Sequence, residues 1–156
     1  MNAPEILLAA AQIAFAAVGA WLTHIDIREH RLPNRIVLPA ALVLAALAIA
    51  ASAADGSADA ALRAGAGAAL LGGFYLVLRA ASGGGLGGGD VKLAVPTGLV
   101  LAWDGWHAFV AGGALAFAIG GTWALGLIAL RRGSRQTHIA FGPCIVTGAL
   151  VGMGLA

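Results

Sequence analysis

Two carboxylates stand where an apolar chain gives them little reason to be. Asp26 lies in "HIDIREHRLPN", at the end of the first apolar span, and Asp90 lies in "SGGGLGGGDVKLA", directly before the fourth. Two aspartates brought together can divide one proton, because like charges held close cannot both ionise cheaply. One carboxylate then takes a proton from water while the other, as the acid, polarises a carbonyl, which is the chemistry of peptide hydrolysis. A purely structural role is the competing interpretation: Asp90 as an N-cap accepting backbone N–H bonds after a Gly-rich turn, and Asp26 as a juxtamembrane partner of Arg28 or Arg31. Residue types alone leave both open.

The elements that must position this pair are membrane helices. The chain has 156 residues, of which 60% are hydrophobic and 10% charged, with a mean hydropathy of +0.91, far from soluble domains. A spanning helix needs about 20 apolar residues, so the length accommodates six or seven crossings and no separate soluble domain. Apolar spans are expected at 4–24, 36–54, 60–80, 91–103, 107–130 and 139–156. The fold class is therefore all-α, a polytopic bundle of about six transmembrane helices, and residues 1–156 form one domain. The fourth and sixth spans are short, so either they sit partly inside the bundle or their true boundaries lie several residues beyond the apolar runs. The amino-terminal segment has Glu5 and no Lys or Arg before its apolar run, unlike a cleaved signal peptide, and is expected to be the first transmembrane helix. Small-residue stretches such as "GAGAALLGG" and "AGGALAFAIGG" suit close helix packing, without defining a dimer motif.

Charge orients the bundle. Arg28, Arg31 and Arg35 lie between spans one and two, Arg79 and Lys92 flank the connection between three and four, and Arg131, Arg132 and Arg135 lie between five and six. These are alternate connections, and only Arg63 among the nine basic residues is opposite, so they mark the cytoplasmic face and put both termini outside. Asp55, Asp59 and Asp104 fall in the other connections. Asp26 and Asp90, 64 residues apart, are thus returned to one interface of the plasma (inner) membrane. The net charge of +2 calls for no nucleic-acid partner, since topology and anionic membrane lipid account for the basic loops.

Other motifs carry less. "GGGLGG" satisfies G-x-G-x-x-G at Gly83, Gly85 and Gly88, but a dinucleotide site needs a preceding strand and a βαβ unit, and here a membrane helix precedes it. His24, Asp26 and His30 could join Asp90 and His138 as a metal set, although loop histidines are more often simply solvated. Cys144 is the single cysteine, which excludes an internal disulfide and a multi-cysteine zinc site. Pro96, placed six residues into the fourth helix, is expected to kink it or free a carbonyl. "LPN" is expected to end one element and start the second helix, with Asn34 as cap. Glu29 could help hold a basic peptide, though a solvated loop charge accounts for it as well.

Three stretches occur together and in order: Asp26 with Pro33 and Asn34, then Gly87, Gly89 and Asp90 followed by "VKLA", then "IAFGPCIVTGAL". On a six-helix frame this set resembles the type IV prepilin peptidases, membrane aspartyl proteases of the GxGD class that also includes archaeal preflagellin peptidases and, more distantly, presenilins. The resemblance covers most of the chain. It implies that Asp26 and Asp90 are the catalytic aspartates, supported by Gly87, Gly89, Lys92, Pro33, Asn34 and the Phe141, Gly142 and Pro143 segment, with no metal and no cofactor. It implies cleavage of a basic leader from a prepilin or pseudopilin, typically after glycine and before a hydrophobic helix, at the cytoplasmic interface. The larger bacterial relatives carry an amino-terminal extension with paired Cys-x-x-Cys motifs and an associated N-methylation activity. This chain has no counterpart to it, so processing without methylation is expected. The alternatives are a metal-dependent membrane hydrolase, an ion-coupled transporter and a non-catalytic pilus-assembly scaffold.

Overall fold

The computed structural model describes residues 2–29, 32–83, 85–130 and 141–155. His30, Arg31, Arg131, Arg132, Arg135 and His138 lie outside the described residues. Among those described there is no strand, and six helices follow in order: α1 (Ala3–Glu29), α2 (Asn34–Asp55), α3 (Asp59–Ala81), α4 (Gly88–Asp104), α5 (Trp106–Ala129) and α6 (Gly142–Gly154). α1, α2, α3 and residues Trp106–Gly126 of α5 are long and apolar enough to cross a membrane. The protein is an all-α membrane protein.

Local chemistry sets several helix ends. At the start of α1 the Asn2 N–H donates to Glu5 Oε2 and the Glu5 N–H to Asn2 Oδ1, both at 3.0 Å, a reciprocal cap on groups the helix leaves unpaired. α2 ends at Gly56, whose φ of 68° is left-handed and suits a residue without a Cβ. Pro33, not Asn34, is the N-cap of α2, with extended φ and ψ of −72° and 125°. Proline's fixed φ and missing N–H suit a position just outside a helix, and Asn34, one residue further, makes no cap bond.

The helices outrun the apolar spans. α1 continues to Glu29 and α4 begins at Gly88, so Asp26 and Asp90 lie within helices and not beyond them. Apolar runs measure the lipid crossing, whereas backbone bonding continues through "HIDIRE" and "GGD". Pro96 is consequently the ninth residue of α4.

α4, at 17 residues, is the central helix and packs against each of the other five. Its residues from Leu93 to Trp103 are buried nearly all round, as an apolar helix in the middle of a bundle must be. Its closest neighbour is α3: a Cβ at Gly98 would collide with the Gly67 carbonyl oxygen, and one at Gly67 with the Gly98 carbonyl oxygen and Ala102. α5 and α6 approach as closely, since a Cβ at Gly152 would lie 2.6 Å from the Gly112 backbone. The small-residue stretches therefore serve helix contacts inside this chain. At the end of α4, Arg63 of α3 donates from Nε to the Ala102 carbonyl and from Nη2 to the Trp103 carbonyl, both at 2.9 Å. Those carbonyls have no partner within their own helix. Asp104, beside Arg63 and Gln12, ends α4 about 21 Å from Asp90 at 1.5 Å per residue.

Candidate active site

Asp26 completes a helical stripe. The buried residues of α1 are Ala11, Phe15, Gly19, Leu22 and Asp26, spaced three or four apart as one face of a helix requires. The last position of an otherwise apolar stripe is a carboxylate that is only 5% exposed. What receives it is the start of α6: the Gly142 N–H donates to Asp26 Oδ2 at 3.1 Å in a buried bond. A Cβ at position 142 would lie 2.6 Å from that oxygen, so the carboxylate occupies the space a side chain would need. Pro143 sits in the first turn of α6, where no N–H is required of it. Phe141 anchors the segment, with its ring 5.5 Å from that of Phe117 and 6.2 Å from that of Tyr75. Gly120 of α5 makes room, because a Cβ there would collide with the Phe141 ring.

Asp90 is 6% exposed and occupies the third position of α4. Its Oδ2 accepts the Gly87 N–H at 3.2 Å, half of a capping box, glycine having no side chain to return the bond. A Cβ at Gly87 would lie 2.8 Å from the same oxygen. At Gly89 a Cβ would lie 2.9 Å from that of Leu32, the buried residue between α1 and α2. The two glycines before Asp90 thus serve different neighbours: one admits the carboxylate and the other admits the α1–α2 connection onto α4.

The glycine-rich stretch is held by named bonds. Gly83 takes the left-handed φ of 60°, the Gly85 N–H donates to the Ser82 carbonyl at 3.2 Å, and the Leu86 N–H donates to Ser82 Oγ at 3.3 Å. Arg79, in the last turn of α3, donates from Nη1 to the Leu86 carbonyl, and its guanidinium is close enough to act on Asp90. Lys92 donates to Asn34 Oδ1 at 2.8 Å, tying the start of α2 to the second turn of α4. Pro33 holds the turn just before Asn34. Arg79 and Ser82 are the residues that spacing alone did not single out, since a basic loop residue explains itself by topology.

Both carboxylates therefore sit at helix N-termini, Asp90 at its own and Asp26 at that of α6, and α4 and α6 are the two short helices. The unpaired N–H groups and positive dipole ends of those helices favour negative charge. The two carboxylates stand in each other's field, and both act on the buried Cys144. Beside them Leu22, Leu93, Ile145, Val146 and Tyr75 belong to one buried apolar cluster, the floor of the site. Two acids so placed can divide one proton and supply a base and an acid together. Among the described residues no group of three or more His, Cys, Asp or Glu side chains could hold a metal ion. His24 is exposed, and His30 and His138 lie outside the described residues.

Residues 13–130 match the sequence profile of the type IV leader peptidase family. The matched segment contains Asp26 and Asp90 and stops short of Phe141, Gly142 and Pro143. No curated protein and no solved structure matches the chain.

Proposed function

This chain belongs to the type IV leader peptidase family, and from that membership we propose that it is an aspartic endopeptidase removing the basic leader of type IV prepilins or pseudopilins, with Asp26 and Asp90 as the catalytic pair. The observation that carries the reading is the burial of these two carboxylates at one site, each bonded to the backbone N–H of a glycine that starts or precedes a helix.

The chemistry follows from one shared proton. The ionised carboxylate accepts a proton from a water molecule as its oxygen attacks the scissile carbonyl carbon. The protonated carboxylic acid gives its proton to the carbonyl oxygen, and a neutral tetrahedral diol forms. On collapse the C–N bond breaks, the leaving nitrogen takes a proton from the first aspartate, and a hydroxyl proton returns to the second. The pair ends as it began. Main-chain donors at Gly142 and Gly87 orient the carboxylates without long side chains, so the geometry is fixed before substrate arrives. The apolar floor strengthens the coupling between the two charges.

The reaction is placed at the cytoplasmic interface of the inner membrane, with both termini outside and the whole chain acting as one domain. The distribution of basic residues supports that orientation. A precursor whose apolar helix lies in the bilayer and whose positive leader stays inside presents its cleavage site at the depth of the two aspartates. The test is to incubate the purified protein with candidate prepilins in lipid vesicles and read the new amino termini by mass spectrometry. A single cut between leader and apolar segment is the expected result, and intact precursor throughout would refute the reading.

A further inference from the structure

An apolar groove of about 370 Å³ runs between α1 and α2, with α4 as its floor. Resting on the leader peptidase reading above, we infer that this groove seats the apolar segment of the precursor that follows the scissile bond. Three observations support that occupant.

The first is continuity with the aspartates. Leu22 and Leu93 line the groove, and they stand one helical turn from Asp26 on α1 and from Asp90 on α4, respectively. A chain lying in the groove and rising toward the interface comes to within one helical turn of each carboxylate.

The second is a hydrogen-bond acceptor in an otherwise apolar wall. Pro39 lies inside α2 and Pro96 inside α4, and both line the groove. Proline has no N–H, so the carbonyl of Arg35, a residue that lines the groove, does not receive its usual bond from four residues on. In lipid such groups need a donor. A precursor must open its own helix to expose a scissile peptide bond, which frees N–H groups at the same depth. A peptide can pair with this acceptor, whereas an acyl chain has no donor to offer.

The third is the charge at the mouth. Among the described residues lining the groove Arg35 is the one that is charged, and it repels a basic leader. The leader is therefore directed away, and the apolar segment is the part that enters.

The probe is a designed precursor in phosphatidylethanolamine and phosphatidylglycerol vesicles: a lysine-rich leader ending in glycine, then an apolar helix of about 20 residues carrying a photoreactive side chain in its first two turns. Irradiated with the Asp90→Asn protein, it should form adducts within 14–22 of α1 or 36–44 of α2. In the otherwise unsubstituted enzyme, Val43→Trp on the α2 wall, where Val43 is 53% exposed, should raise KM for the precursor roughly tenfold. It should leave kcat unchanged on a short soluble peptide that lacks the apolar segment. Ala14→Phe on the α1 wall should act in the same direction, and Val110→Trp, in the separate groove between α3 and α5, should have no effect. Adducts confined to lipid or to the α3–α5 groove, or unchanged KM in both filled variants, would overturn the inference. Groove adducts from a precursor that the unsubstituted protein never cuts would instead overturn the peptidase reading and leave the seat standing.

Discussion

The Gly142 N–H and the Asp26 carboxylate meet at 3.1 Å inside the protein, joining the first residue of α6 to the last turn of α1 across 116 positions of sequence. The contact ties a carboxylate to the first residue of α6, and it has no room for a larger residue at 142.

Gly142→Ala puts a methyl group 2.6 Å from Asp26 Oδ2 as the two now stand, so either the carboxylate or the start of α6 must move. Misplacing a catalytic group by about 1 Å costs on the order of 100-fold. Cleavage of a prepilin should fall about 10- to 100-fold while the protein still inserts and accumulates. Gly154→Ala, where nothing lies within 4 Å of a new Cβ, is the matched control. Unchanged turnover in Gly142→Ala would detach the α6 segment from the site.

The helix contacts that frame the site predict a stability effect separate from chemistry. Gly98→Val drives a side chain into the Gly67 backbone at the tightest contact of the central helix. Overpacking of this kind costs typically about 1–3 kcal/mol, and the unfolding midpoint in detergent should drop accordingly. Gly73→Ala, on the exposed side of α3 with open space around it, should leave the midpoint in place. Equal midpoints for both would mean that α3 and α4 do not pack backbone to backbone.

What the sequence revealed and what it hid divide by length scale. Six apolar spans turn the chain back on itself, and this is why Asp26 and Asp90 could be assigned to one end of the bundle from spacing alone. The helix ends were misjudged because hydropathy marks where lipid begins, and α1 continues through the polar "HIDIRE" to Glu29. Asn34 has the side chain of a cap, but Pro33, with no N–H to satisfy, takes the position and leaves Asn34 to accept from Lys92. Leu32 over Gly89, Phe141 in the notch at Gly120 and Arg79 on the Leu86 carbonyl depend on how distant segments meet side by side. No periodicity encodes such meetings. The groove under Pro39 and Pro96 depends on how far α1 stands from α2, which is equally absent from the order of residues.

A shared proton predicts how rate depends on pH. At low pH both carboxylates are protonated and no base remains. At high pH both are ionised and no acid remains. Cleavage of a fixed precursor should therefore rise and then fall, with two apparent constants that belong to the pair, and it should persist when divalent metals are removed by a chelator. A soluble peptide with no group titrating in the range used separates enzyme ionisation from substrate ionisation. A rate that climbs to a plateau without an alkaline limb, or that collapses on chelation, would exclude the two-carboxylate mechanism.

The most direct measurement is cleavage by the single aspartate variants. Asn at position 26 or 90 keeps the size of the side chain and can still accept a glycine N–H, but it cannot carry the catalytic proton. Each of Asp26→Asn and Asp90→Asn should insert, accumulate and unfold like the parent, yet lose nearly all cleavage as read by the mass of the new pilin amino terminus. The double variant should be scarcely worse than either single one, because residues acting as a unit fail together. Asp55→Asn, at the exposed end of α2, should process its precursor normally. Substantial cleavage by a well-folded Asp26→Asn or Asp90→Asn protein would contradict the assignment of these two carboxylates as the catalytic pair.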